Sequence, residues 1–265
     1  MDYIKFVGTA GARFVVARQV RASGGTWYCL AGANVLVDPG PGALVKCLAS
    51  RPKLDPSKLD AVVLTHKHLD HSGDVNAILE AMTDGGHHKR GALFAPPDAI
   101  GDDPVVFKYV RDYVERVEEL REGGSHQVGE LRFSTPIRHQ HSVDAYGLKL
   151  HLPDLDISLV ADTAFFPELI EAYRAELLIM NTVLFEPPRD PSIQHLCLND
   201  ARQLIDGIRP KVAILTHFGM AMIRSRPREL AQQLTEELGI ETIAARDGMK
   251  FDLAEHGLIA ADDPE

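Results

Sequence analysis

Ala61-Val62-Val63-Leu64-Thr65-His66-Lys67-His68-Leu69-Asp70-His71 is a short apolar run that opens directly into three imidazoles and a carboxylate. The run is rich in β-branched residues and is followed by a helix-like stretch. A buried strand over residues 61–65 is therefore expected, ending at His66. Neutral imidazole and carboxylate are the usual ligands of a borderline divalent ion such as zinc. An H-x-H-x-D-H cluster on one strand-to-helix turn points to a metal site, single or double. With only 12 histidines in 265 residues, three within this short turn are unlike a chance polar loop.

The same device recurs downstream. Ile214-Leu215-Thr216-His217 repeats Val63-Leu64-Thr65-His66, a buried strand that hands Thr-His to its C-terminal end. Open α/β sheets place ligands beside such strand ends. Two similar halves meeting there would bring His217 to the 66–71 cluster. His141 follows Arg138-His139-Gln140, and Asp162 follows the strand expected at 157–161; both stand where a strand runs out. No inserted or low-complexity segment interrupts the chain. One domain over residues 1–265 is expected, with a frayed polar tail from about 255.

Further strands are expected at 3–7, 26–30, 34–37, 130–134, 147–151, 177–180, 212–216, 241–245 and 249–253. Helices are expected near 43–50, 71–82, 199–207 and 227–239. A longer helix is expected from Pro104 to Gly123. There Val106, Tyr109, Val110, Tyr113, Val114, Val117 and Leu120 form an apolar stripe behind a proline at the first helical position. Gly8-Thr9-Ala10-Gly11-Ala12-Arg13 reads as a small-residue turn that lets backbone approach another group closely.

Hydrophobic residues at 45% and charged residues at 25% are ordinary for a globular protein. No run approaches ~20 apolar residues, so no membrane span is expected. The first residues enter a strand-like pattern rather than a secretory signal. Cys29, Cys47 and Cys197 are odd in number and form no C-x-x-C pair, which suggests reduced thiols and a cytoplasmic setting. A formal charge of −10 disfavours extended nucleic acid, which usually meets a basic footprint. The distribution of that charge matters more than its sum.

The cluster with its downstream His, Asp and His resembles the metallo-β-lactamase superfamily, in order and approximate spacing, from Gly8-Thr9-Ala10-Gly11 through His217. The resemblance implies a mixed α/β fold, the four-layer αββα sandwich, with a dinuclear site at one edge. It implies that His66, His68 and His141 hold one metal, that Asp70, His71 and His217 hold the other, and that Asp162 bridges both. The ions would be two divalent metals, zinc first, with manganese or iron also compatible with this ligand set. Asp38 resembles the outer aspartate that orients ligands. His139 is the rival of His141, and the Ser142-to-Gly147 stretch favours His141. His87 and His88, beside Lys89 and Arg90, read as a solvated turn. No role is given to His126, His151 or His256.

Within that superfamily the chain looks closest to the branch of ribonuclease Z and the cyclic phosphate phosphodiesterase. The resemblance implies a metal-dependent hydrolase in which a metal-bridging hydroxide attacks phosphorus in a small phosphodiester. Asp70, as a catalytic carboxylate and ligand, and His195, as general acid toward the leaving alkoxide, are the catalytic candidates. Two departures argue against a tRNA substrate. Met180-Asn181-Thr182-Val183 lacks the Glu that partners the matching histidine in ribonuclease Z, and no basic insertion could grasp RNA. A ribonuclease Z-like endonuclease and a thioester or lactone hydrolase remain the alternatives. One or more of Arg13, Arg18, Arg21, Arg224 and Arg226 is expected to face the cleft and pair with phosphate. A homodimer is compatible with the resemblance, and no membrane partner is expected.

Overall fold

Polar ends on apolar strands decide the architecture, because each strand must bury its middle while its exit reaches solvent. The structure, a computed structural model, describes residues 2–23 and 25–260. The strands are β1 (Tyr3–Phe6), β2 (Thr26–Leu30), β3 (Ala33–Val37), β4 (Ala61–Val63), β5 (Ala92–Ala95), β6 (Arg116–Glu119) and β7 (Gly124–Val128). They continue with β8 (Leu131–Thr135), β9 (Leu148–Leu152), β10 (Leu155–Val160), β11 (Leu177–Asn181), β12 (Val212–Thr216), β13 (Glu241–Ala244) and β14 (Met249–Asp252). Among the described residues they form two seven-stranded sheets, ordered β14-β1-β2-β3-β4-β5-β6 and β13-β12-β11-β10-β9-β8-β7.

The inner faces meet in one apolar layer that includes Phe6, Tyr28, Val63, Phe94, Phe133, Ile157, Ile179 and Ile214. The outer face of the first sheet buries Trp27, Leu36, Val62 and Leu93 under the helices Ala43–Ala49 and Val75–Met82. The outer face of the second buries Met180, Ala213 and Leu215 under the helices Leu198–Ile208 and Pro227–Leu238. Alternate residues of one strand thus serve two cores, as in Val62 and Val63. The result is the expected αββα sandwich.

The parallel runs β3-β4-β5-β6 and β10-β11-β12-β13 are the parts that carry chemistry. Their registers align the C-terminal ends, pairing Val37 with Val63, Val160 with Met180 and Asn181 with Thr216. All these exits open on one edge of the sandwich.

The structure corrects several expectations. The helix expected from Pro104 to Gly123 is only Lys108–Arg111, and β6 follows it. β6 pairs in parallel with the free edge of β5, and Val117 is 36% exposed rather than part of a helical stripe. Hydrogen bonding at a sheet edge outweighed a spacing that two elements share. β5 is a four-residue apolar run and β7 a short, mostly polar one, and neither was anticipated. Residues 12–17 form a helix where a turn was expected. The helix expected over 71–82 starts earlier and divides into Leu69–Ser72 and Val75–Met82. The chain beyond 255 does not fray at once, because Leu258 is buried against the inner core and its N–H reaches Leu253 O; residues 261–265 lie outside the described residues. No helix among the described residues is long and apolar enough to cross a membrane.

Candidate metal centre

Each candidate ligand stands one to three residues beyond a strand end or in a loop tied to one. β3 delivers Asp38, β4 delivers His66 through Thr65, β10 delivers Asp162, and β12 delivers His217. The 136–147 loop is drawn across the gap between the sheets. Arg138 bridges to Tyr146, whose N–H donates to Thr65 O at 3.0 Å, and this brings His141 over the 66–71 turn. On the opposite side, Gly11 N–H donates to Phe218 O at 3.0 Å, fastening the β1 exit to the β12 exit.

Three groups of donor atoms converge, each within 4.8 Å: His66, His68 and His141; Asp70, His71 and His217; and His66, His71 and Asp162. His141 Nδ1 donates to Gln194 O at 3.1 Å, so its Nε2 is a bare lone pair, and that atom sits 3.1 Å from His68 Nδ1. Asp70 Oδ2 lies 3.8 Å from His71 Nε2 and 3.6 Å from His217 Nε2. Asp162 Oδ2 lies between the first two groups, 4.0 Å from His66 Nε2 and 3.5 Å from His71 Nε2. All seven residues expected as ligands are therefore together, and His139 is not among them.

The donor set fits divalent cations. His66 Nε2, His71 Nε2 and both ring nitrogens of His217 are buried without a hydrogen-bond partner among the described residues. An unpaired buried polar atom costs roughly 1–3 kcal/mol, so several aimed at one small volume call for an ion. Burial brings His141 down to about 4 and also lowers His66 and His217, which keeps these imidazoles neutral with their lone pairs available. His71 is the exception. Burial works against its charge, yet Asp38, Asp70 and Asp162 lift it well above the usual histidine value. A metal cation among those carboxylates would supply the positive charge that they otherwise hold as a proton. Burial likewise opposes ionisation of Asp162, but His217, His71 and His195 hold its carboxyl well below the usual range.

A second layer fixes these groups. Asp38, which expectation made an outer aspartate, accepts from Thr65 N–H and Thr65 Oγ1, each at 2.7 Å, and from His71 Nδ1 at 2.9 Å. That bond commits Nδ1 and leaves Nε2 of His71 facing the cluster. Asn181 Nδ2 donates to Asp162 Oδ1 at 2.8 Å, so Oδ2 is the oxygen left toward both donor groups. In the sequence Met180-Asn181-Thr182-Val183 stood out only for lacking a Glu; the exit of Asn181 from β11 in register with Thr216 is visible in the tertiary structure alone. His139 acts behind the site. Tyr173 OH donates to His139 Nε2 at 2.8 Å, and His139 Nδ1 donates to Asp162 O at 3.2 Å, bracing the backbone of that residue.

His195 stands apart from the three donor groups, its Nδ1 3.3 Å from Asp162 Oδ2. Burial opposes its charge, but Asp162 outweighs this and raises its pKa. The arginines divide. Arg21 is spent on Thr9 Oγ1, Ala245 O and the Phe218 ring, and Arg226 pairs with Glu229. Arg13, Arg18 and Arg224 are exposed. Elsewhere His126 pairs with Glu118, His151 with Asp156, His256 with Glu241 and exposed His88 with Asp84, all away from the cluster.

A β-lactamase superfamily domain profile matches residues 33–218. The chain belongs to that superfamily. It is 33% identical over 261 residues to an uncharacterized protein of Methanocaldococcus jannaschii, covering 94% of each chain. A metal-dependent hydrolase of Methanopyrus kandleri is 27% identical over 231 residues, covering 79% of this chain and 87% of that one. Among solved structures, a diphosphatase from the PhnP family superposes with a TM-score of 0.70 at 19% identity, covering 95% of this chain and 98% of that one. Superfamily and donor set together make this superfamily member a metal-dependent hydrolase of the metallo-β-lactamase fold.

Proposed function

We propose that this superfamily member hydrolyses a small phosphodiester with two divalent ions, zinc first. His66, His68 and His141 would hold one, Asp70, His71 and His217 the other, and Asp162 would lie between them. Ions so held supply Lewis-acid activation of water and of the phosphoryl oxygens. The chain's own groups do the rest. Asp70 and Asp162 make the pocket hard enough for phosphate oxygens. Asp38 and Asn181 aim His71 Nε2 and Asp162 Oδ2 at the shared space.

His195 carries the reading further than any other residue. Its ring nitrogen lies 3.3 Å from the Asp162 carboxylate and outside every donor group, which suits a proton donor to a leaving alkoxide. The PhnP-family diphosphatase of the same fold is consistent with chemistry at phosphorus.

Metal analysis combined with hydrolysis of bis(p-nitrophenyl) phosphate, a thioester and a lactone tests this reading. Two ions per chain and preference for the phosphodiester are expected. Preference for the thioester or lactone by orders of magnitude would overturn it. Asp162→Ala should lose tight occupancy by two ions, and retention of both would remove its bridging role.

A further inference from the structure

Two segments meet over His217 and carry positive charge in a chain whose net charge is −10. Residues 8–25 contain Arg13, Arg18 and Arg21 with no Asp or Glu, and residues 217–228 contain Arg224, Arg226 and Arg228 with none either. Backbone hydrogen bonds join the segments, Gly11 N–H to Phe218 O and Phe218 N–H to Thr9 O. The helix Ala12–Ala17 then packs against both Leu69–Ser72, which carries Asp70 and His71, and Met220–Arg224. This places the cationic face at the lip of the metal centre.

With Arg21 and Arg226 already engaged, Arg13, Arg18 and Arg224 are exposed, and no ion pair or hydrogen bond holds their side chains among the described residues. Phe14, 70% exposed, lies one helical turn before Arg18, whose N–H donates to Phe14 O, so the aromatic ring and Arg18 share a helix face. Leu69, 72% exposed, stands between His68 and Asp70 on the neighbouring helix. Guanidinium groups beside an exposed ring suit an arm that carries both a phosphate and a flat apolar group.

We propose that this face is a second substrate subsite, which binds a phosphate monoester the enzyme does not cleave, with the apolar part of the same arm against Phe14. The substrate class is then a phosphodiester with a further terminal phosphate on one arm, of the nucleoside bisphosphate kind. The proposal rests on the phosphodiesterase reading and narrows it.

Two chromogenic esters separate the two. Thymidine 5′-(p-nitrophenyl phosphate) and its 3′-phosphorylated counterpart share the scissile phosphorus and the leaving group. The 3′-phosphorylated ester should show a KM lower by about tenfold or more, with the advantage shrinking as salt rises. In Arg13→Ala/Arg18→Ala, and in Arg224→Ala, the ratio of kcat/KM for the two esters should fall toward one. Equal KM values in the wild type, or a ratio unmoved in both variants, would overturn the subsite while leaving the phosphodiesterase intact. Hydrolysis of neither ester, with turnover of a thioester or lactone, would overturn both. Calorimetric titration of the metal-loaded protein with thymidine 3′,5′-bisphosphate and with thymidine 5′-phosphate gives a readout independent of turnover. Tighter binding of the bisphosphate, lost in the double variant, is expected, and equal binding of the two would count against the subsite.

Discussion

At the residue scale, the centre works by committing one atom of each side chain and leaving the other. Asp38 takes Nδ1 of His71, Gln194 O takes Nδ1 of His141, and Asn181 takes Oδ1 of Asp162. His195 has no such commitment, and its role is separable by leaving group. His195→Ala should cost about 10²–10⁴-fold in kcat on an alkyl phosphodiester and far less on a p-nitrophenyl ester, whose weakly basic phenolate leaves without a proton. Equal losses on both, with ion content unchanged, would remove His195 as the acid. His139 gives a pH prediction. Burial brings it to about 4 from an unfolded value of 6.5, and protonation would also break the bond from Tyr173 OH. The unfolded chain binds that proton first, so stability is complete above pH 6.5 and falls as pH drops toward 4. The loss approaches roughly 3 kcal/mol at the low end, taking ~1.4 kcal/mol per pH unit. Urea titrations across that range should show His139→Gln flattening the slope.

At the element scale, tight approaches between strand exits set the geometry. A Cβ on Gly11 would lie 2.2 Å from His217 O and 2.5 Å from His217 Nδ1. Gly11 itself has φ −121, so the demand is steric, not conformational. Gly11→Ala should therefore displace His217 and cost the second ion, measured as about one ion per chain and activity down at least tenfold. Two ions and full turnover would mean that the exits can separate freely. His217 and Asp38 hold left-handed backbone at φ 58 and 55, conformations that non-glycine residues adopt at a cost of roughly 1–3 kcal/mol. The strands of both sheets hold these strained exits in place. β6 shows the same logic in reverse, since a sheet edge captured a segment whose spacing suggested a helix.

At the scale of the whole molecule, two half-sandwiches bring together groups that repel one another. Asp38, Asp70 and Asp162 crowd around His71, while four further imidazoles lie in reach. Ions bound only by the native state stabilise by mass action, about 2.7 kcal/mol at 100 times Kd. Chelation should lower Tm by several degrees at neutral pH, and Asp162→Ala should reduce that difference. A Tm indifferent to chelator would mean that the folded protein does not depend on its ions.

The sequence by itself determined the ligand chemistry and the layered fold. Imidazoles and carboxylates at strand ends are a local pattern, and the resemblance to the superfamily that they carry implied both the sandwich and the set His66, His68, Asp70, His71, His141, Asp162 and His217. The same resemblance, through the stretch from Ser142 to Gly147, carried the choice of His141 over His139. Only the tertiary structure decided which atom of each ligand faces inward, that Asn181 and Tyr173 act behind Asp162, and which arginines stay unpaired at the lip. Those outcomes depend on register between parallel strands and on contacts between residues far apart in the chain. Neither is encoded in the spacing of any single segment.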